Sequence, residues 1–151
     1  MADVPKTIAL TFDGYWREPK MSNLPAEAGV YCVYTCTYNE NAKPKPTVSI
    51  AKLVYIGESG GIRGRVTNHP LLPTWKKQLT TGQVLCFSAA KVTPEADRQR
   101  AEAALIFKHK PPANDEYTKA FTGFDTTTIN ASGETANLTT TFTVARGATS
   151  S

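Results

Sequence analysis

Cysteine is scarce. Only Cys32, Cys36 and Cys86 occur in 151 residues, an odd number with no CxxC spacing. This argues against a disulfide framework or a zinc site and for reduced thiols in a cytoplasmic protein. No apolar run approaches the roughly 18 residues that a membrane-spanning helix needs. The opening MADVPKTIALTF has neither the basic start nor the long apolar stretch of a secretion signal. Glycine and proline, ten of each, stay near average usage and exclude a collagen-like or broadly disordered chain. No internal repeat or linker divides the sequence. What is present, 40% hydrophobic residues over this length, suits a single domain spanning 1–151 with one core.

A strong charge imbalance is also missing, since the whole chain carries only +4 with a pI near 9.0. By segment the picture changes. Residues 1–38 carry a net −1 and residues 111–151 a net −2, whereas residues 39–110 hold twelve basic and five acidic side chains, a net of +7. A concentration of this kind suits phosphate binding; it also suits a solvated lysine-rich face.

Residues 29–38 (GVYCVYTCTY) alternate and are rich in Val, Tyr and Thr, the pattern of a strand. NENAKPKP follows as a loop, and 47–57 return as a second strand, giving a long-armed hairpin. After a Gly-rich break, 62–69 form a short helix ending before Pro70, and Thr74 opens another helical turn through Trp75. Residues 83–92 are a third strand. Thr93 as N-cap and Pro94 at the first helical position start a helix that runs to about Lys110, where Pro111-Pro112 stop it. A turn or short helix is expected at 115–121. Threonine-rich strands at 125–130 and 138–145 make a second hairpin around Gly133. The expected fold is therefore α+β: a small, mostly antiparallel three-stranded sheet flanked by helices, with an additional C-terminal hairpin over about 125–145.

The chemistry-bearing residues fall in an informative order. Gly29-Val30-Tyr31 opens the first strand, and Tyr55-Ile56-Gly57 closes the second. Arg65 lies in the next helix with His69 four residues on, Glu102 is mid-helix, and Asn114 lies just beyond that helix. This ordered set, covering about 29–114, resembles the GIY-YIG nuclease superfamily, named for two tripeptides at the ends of a β-hairpin. The first tripeptide is GVY here and the second, YIG, is intact. The 23 residues between Tyr31 and Tyr55 exceed the compact family pattern, and the excess falls in the Pro/Lys loop and adjoining strand arms. Longer hairpins, and an arginine followed one turn later by histidine, are found in the restriction-endonuclease-like branch, which this chain resembles more than the homing or repair branches.

The resemblance implies a divalent-metal-dependent endonuclease acting on DNA in a cytoplasmic setting, with one Mg²⁺ or Mn²⁺ per site. Tyr31 would help activate water, Tyr55 would contact the scissile phosphate, and Glu102 would be the metal ligand. Arg65 offers a planar, permanently charged fork for phosphate; Arg63 competes for that role, and a plain surface arginine is the alternative. His69 could orient or relay a proton near neutral pH, or simply cap the chain before Pro70. Glu102, one carboxylate plus waters and phosphate oxygens, suits Mg²⁺; a surface pair with Arg98 four residues earlier is its structural alternative. Tyrosines in strands are also ordinary packing residues. Gly29 and Gly57 let backbone approach where a Cβ would obstruct. Asn114 would tie the active-site loop by hydrogen bonds, or serve as a post-helix turn residue. Lys43, Lys45, Lys52, Lys76 and Lys77, with Arg63, are candidate contacts to the DNA backbone, and solvated lysines otherwise. His109 reads as compensating the helix dipole.

Two other readings compete: a GIY-YIG-like nucleic-acid-binding module without catalysis, and a small protein-interaction domain using the threonine-rich hairpin. A homodimer or paired nicks would each allow double-strand cleavage. No helix-turn-helix or zinc module accompanies the core.

Overall fold

The computed structural model describes residues 3–150. Six strands and three short-to-medium helices follow one another: β1 (Lys6–Arg17), a 3-10 helix (Glu18–Asn23), β2 (Gly29–Asn39), β3 (Thr47–Ser59), α1 (Ile62–Thr67), α2 (Leu72–Lys76), β4 (Gln83–Lys91), α3 (Glu95–His109), β5 (Thr127–Gly133) and β6 (Thr141–Val144). The strands form one continuous sheet in the order β3-β2-β4-β1-β5-β6. β1 and β5 pair in parallel, and every other neighbouring pair is antiparallel. The sheet curls into a half-barrel.

This overturns the expected small three-stranded sheet with a separate hairpin. β2, β3 and β4 are only half of the sheet, and the C-terminal hairpin is joined to them edge to edge through β1. The signal for β1 was local and readable: Ile8, Leu10 and Phe12 are buried while their neighbours are exposed, a period of two. Its pairing was not readable, because Lys6 meets Thr127 across 121 positions of sequence. The 115–121 segment contains no helix and contributes one bridge, Ala120 to Thr149.

β2 is the axis of the molecule. From Gly29 to Cys36 all eight residues are buried, because β2 lies between two strands and both of its faces are covered. Val30, Cys32 and Tyr34 point into one core with Ala101, Ala104 and Leu105 of α3. Tyr31 and Val33 point the other way, into a core with Leu24, Ile62, Val66 and Trp75. Each fully buried large side chain contributes roughly 1.5–3 kcal/mol, so both layers are firmly attached. α3 begins one residue later than expected: Pro94, not Thr93, occupies the N-cap, without a side-chain capping bond. At its C-terminus Lys110 adopts the left-handed conformation (φ 48°) and its N–H bonds the Ile106 carbonyl, ending the helix before the two prolines. No helix among the described residues is long and apolar enough to cross a membrane.

Candidate functional site

The site forms where β2 begins, β3 ends and α1 follows. Tyr31 and Gly57 face each other across the β2–β3 ladder. A Cβ on Gly57 would overlap the Tyr31 hydroxyl, so the glycine of YIG lets the tyrosine of GVY lie flat across the neighbouring strand. Gly29 is equally constrained, since a Cβ there would run into the Ala90 carbonyl of β4.

Tyr31 is 1% exposed. Its ring is 6.3 Å from that of Tyr55 and 6.4 Å from His69, while Tyr55 and His69 are 5.4 Å apart. Trp75 of α2 supports them from below, 4.5 Å from His69 and 5.2 Å from Tyr55. Burial pushes the Tyr31 phenol above its ordinary value, Tyr55 and Glu102 add to that, and the Arg65 guanidinium opposes it. The Tyr55 phenol is raised in the same way, chiefly by burial and then by Glu102, again opposed by Arg65.

α1 is held by its backbone. The N–H groups of Ile62 and Arg63 donate to the carbonyls of Glu27 and Pro25, and the Arg63 Nε donates to the Leu24 carbonyl at 2.7 Å. With Ile62 and Val66 buried, Arg65 is left exposed on the other side. Its guanidinium stands beside the Tyr31 hydroxyl and makes no ion pair among the described residues. The two arginines thus separate by role: Arg63 anchors the helix, and Arg65 faces the phenols without a carboxylate partner.

The helix ends at Thr67, so His69 lies beyond it and reaches the site from the following turn. It is 5% exposed. Its Nδ1 accepts the Leu71 N–H at 3.0 Å, which assigns the ring proton to Nε2 in the neutral tautomer. That Nε2 has no partner. Burial, then Arg65, holds the imidazole down to about 4, so near neutral pH His69 is an uncharged donor.

Glu102 comes from α3 across the edge of β3. It lines a pocket of about 220 Å³ with Tyr55, Leu71, Ile106, Asn114, Asp115 and Glu116. The expected pair with Arg98 is not formed. Arg98 instead bonds Glu58 at 2.5 Å, with Glu95 at 3.8 Å. Burial, reinforced by Glu58 and Glu116 and opposed by the Glu58 backbone N–H, pushes the Glu102 carboxyl up to about 7. Among the described residues no group of three or more His, Cys, Asp or Glu side chains is placed to hold a metal ion. The donor chemistry nevertheless fits a divalent ion held mainly by water and substrate oxygens: a carboxylate destabilised by neighbouring acids in an open pocket is relieved by a cation. Asp115, Glu116 and Glu58 are not among the residues expected from sequence; an acid directly after YIG and a pair of acids directly after Asn114 are the available signals.

Asn114 ties the loop to the sheet edge. Its Oδ1 accepts the Ile56 N–H and its Nδ2 donates to the Ile56 carbonyl, both at 2.9 Å, and the Ala113 N–H adds a bond to the Val54 carbonyl. The unpaired outer edge of β3 is thereby closed at YIG.

Several basic side chains are taken up by ion pairs. Lys76 pairs with Glu18 at 2.7 Å, Lys91 with Glu27 at 3.4 Å and Arg100 with Asp3 at 2.9 Å. Lys52 donates to Gln78. Lys43, Lys45 and Lys77 are exposed and make no side-chain ion pair among the described residues. Three of the twelve basic side chains of the central segment are thus met by acids from outside it, while Lys6 from outside meets Asp97 within it, and most of the +7 remains. Comparison with protein-family models, with curated proteins and with solved structures returns no match.

Proposed function

We propose that the protein is a divalent-metal-dependent endonuclease that hydrolyses DNA phosphodiesters. One observation carries this reading: Tyr31, Tyr55 and His69 pack ring against ring, Tyr55 and Glu102 line one pocket, and the charges of Arg65 and Glu102 act on the ionisation of both phenols. Clusters of mutually perturbed titratable groups are characteristic of reacting sites.

Arg65 supplies the fixed positive charge that binds a phosphate oxygen and meets the charge that develops on it. The same guanidinium favours the Tyr31 phenolate, so charge at Arg65 and proton acceptance at the Tyr31 oxygen are linked. His69 contributes the Nε2–H as a donor that steadies negative charge on an oxygen in the cluster; with Nδ1 occupied by Leu71 it orients and does not act as base. Tyr55 lies between this group and Glu102 and completes the phosphate contacts. Glu102 would hold Mg²⁺ or Mn²⁺ together with water and substrate oxygens, the negative charge of Asp115 and Glu116 in the same pocket favouring the ion, which when bound would supply Lewis-acid stabilisation of the leaving oxygen. Asn114 positions the loop that carries the two additional acids.

The test is relaxation of supercoiled plasmid with Mg²⁺ or Mn²⁺. Wild type nicks or linearises it, and Glu102→Gln does not. Equal cleavage by both removes Glu102 from the metal role. A second reading, a binding module without catalysis, draws on the upward displacement of both phenols, which opposes proton acceptance. It requires tight, salt-sensitive DNA binding without cleavage in any divalent ion.

A further inference from the structure

Two thiols that the proposed hydrolysis does not use lie side by side in the sheet. The Sγ atoms of Cys36 on β2 and Cys86 on β4 are 2.6 Å apart, against about 2.05 Å in a disulfide bond. In the β2–β4 register Cys86 is opposite Tyr34 and Cys36 opposite Val84, which makes the two cysteines diagonal neighbours, and both belong to the core under α3. Arg17 of β1 is opposite Cys86 from the other side, and its guanidinium lies 3.7 Å over the Tyr38 ring. Cys32, the remaining cysteine, has no thiol neighbour, and burial pushes it up to about 12.

We propose that Cys36 and Cys86 are a redox-active pair that closes to an intramolecular disulfide by exchange with a small-molecule disulfide of the glutathione type. Cys36 is the attacking sulfur. The two sulfurs share a hydrogen bond and Arg17 stands close by, so the Cys36 thiol is held below its ordinary value, while that of Cys86 is raised by the same bond and by burial. The Cys36 thiolate attacks one sulfur of the small disulfide, forms a mixed disulfide and expels a thiolate. The Cys86 sulfur then attacks Cys36 Sγ and expels the second, with its proton going to the departing thiolate. Two protein thiols are oxidised and one small disulfide is reduced to two thiols. Both sulfurs are buried, so exchange proceeds through local opening of this end of the sheet. The product encloses residues 37–85, the segment that carries Tyr55, Arg65 and His69, and staples the two central strands behind the site.

The experiment is incubation of the folded protein with excess glutathione disulfide, followed by denaturation, alkylation and peptide mass mapping. The expected result is loss of two hydrogens, a cross-linked Cys36–Cys86 peptide, a single alkylated thiol at Cys32, and a higher melting temperature that dithiothreitol reverses. Cys86→Ser should stop at one glutathione on Cys36, and Cys32→Ser should leave the cross-link unchanged. Three alkylated thiols after prolonged oxidation, or a cross-link that includes Cys32, overturns the proposal. The wild-type map decides even if a serine variant fails to fold, and it is independent of whether DNA is cleaved.

Discussion

Arg100 and His69 are both buried polar side chains, 4% and 5% exposed, yet their surroundings are opposite. On the β5 side of the sheet Arg100 donates to Thr127 Oγ1 at 2.6 Å, to Asp3 at 2.9 Å, and to the carbonyls of Val4, Thr126 and Asp125 at 2.7, 2.9 and 3.4 Å. His109 nearby is likewise used at both nitrogens, bonding the Leu105 carbonyl and accepting the Thr139 N–H. Its imidazole is held down by burial, so it joins α3 to the hairpin turn and does not compensate the helix dipole. On the β3 side His69 Nε2 has no partner, Arg65 has no carboxylate partner among the described residues, and Tyr31, Tyr55 and Glu102 are all displaced upward. Satisfied polar groups stabilise a fold; polar groups left unsatisfied and mutually perturbing are what a ligand completes. The contrast separates a structural end of the sheet from a working end.

The largest effect should come from removing the working charges. Arg65→Ala and Glu102→Gln are each expected to lower the cleavage rate by roughly 10²–10³-fold, Arg65→Ala with a change in folding stability below about 0.5 kcal/mol and Glu102→Gln with no loss of stability at pH 8. A large stability loss in Arg65→Ala would make that arginine structural. Next, Arg100→Met should cost about 3 kcal/mol of stability while cleavage per folded molecule stays at the wild-type rate; denaturant unfolding beside plasmid relaxation reads both. Reduced specific activity in Arg100→Met would join the two ends that the comparison separates. Gly57→Ala displaces the Tyr31 ring and is expected to reduce cleavage about 10²-fold through misplacement alone, with DNA affinity by fluorescence anisotropy largely kept. Asn114→Ala should cost about 1–2 kcal/mol by freeing both Ile56 groups, visible as faster hydrogen exchange at 113–116 and at Ile56.

The smallest effect is the pH dependence contributed by Glu102. Its folded carboxyl titrates near 7 against 4.5 ordinarily. The folded state therefore binds the proton more tightly than the unfolded chain, and stability falls as pH rises from about 4.5 to about 7, then levels off. After screening this amounts to roughly 1–2 kcal/mol, read as the difference between wild type and Glu102→Gln in urea at pH 4.5 and pH 8. A difference that grows in favour of wild type with rising pH would contradict the assignment of a destabilised carboxylate.

Much of the local structure was legible because it depends on short-range chemistry. The strands at 29–38, 47–57 and 83–92 and the helix stopped by Pro111-Pro112 appear within a few residues of their expected bounds, since alternation and backbone restriction act between neighbours. The Thr93 cap failed because Pro94 itself holds the extended N-cap conformation. The extent of the sheet was beyond reach. That β1 lies between β4 and β5 depends on pairing residues 69 to 121 positions apart, and period-two alternation does not say which strand comes alongside.

The same division runs through the site. Residue order alone set out the chemistry-bearing side chains: a glycine where a tyrosine must lie across the strand, an arginine and a histidine soon after, a carboxylate in a helix. Only the tertiary structure decided that Arg98 belongs to Glu58 and not to Glu102, that Lys76 and Arg100 are neutralised by distant acids, and that His69 is a neutral donor. Spacing along the chain constrains neighbours within a turn or a strand, whereas charge pairing, burial and proton position are set by what the fold brings within a few ångströms.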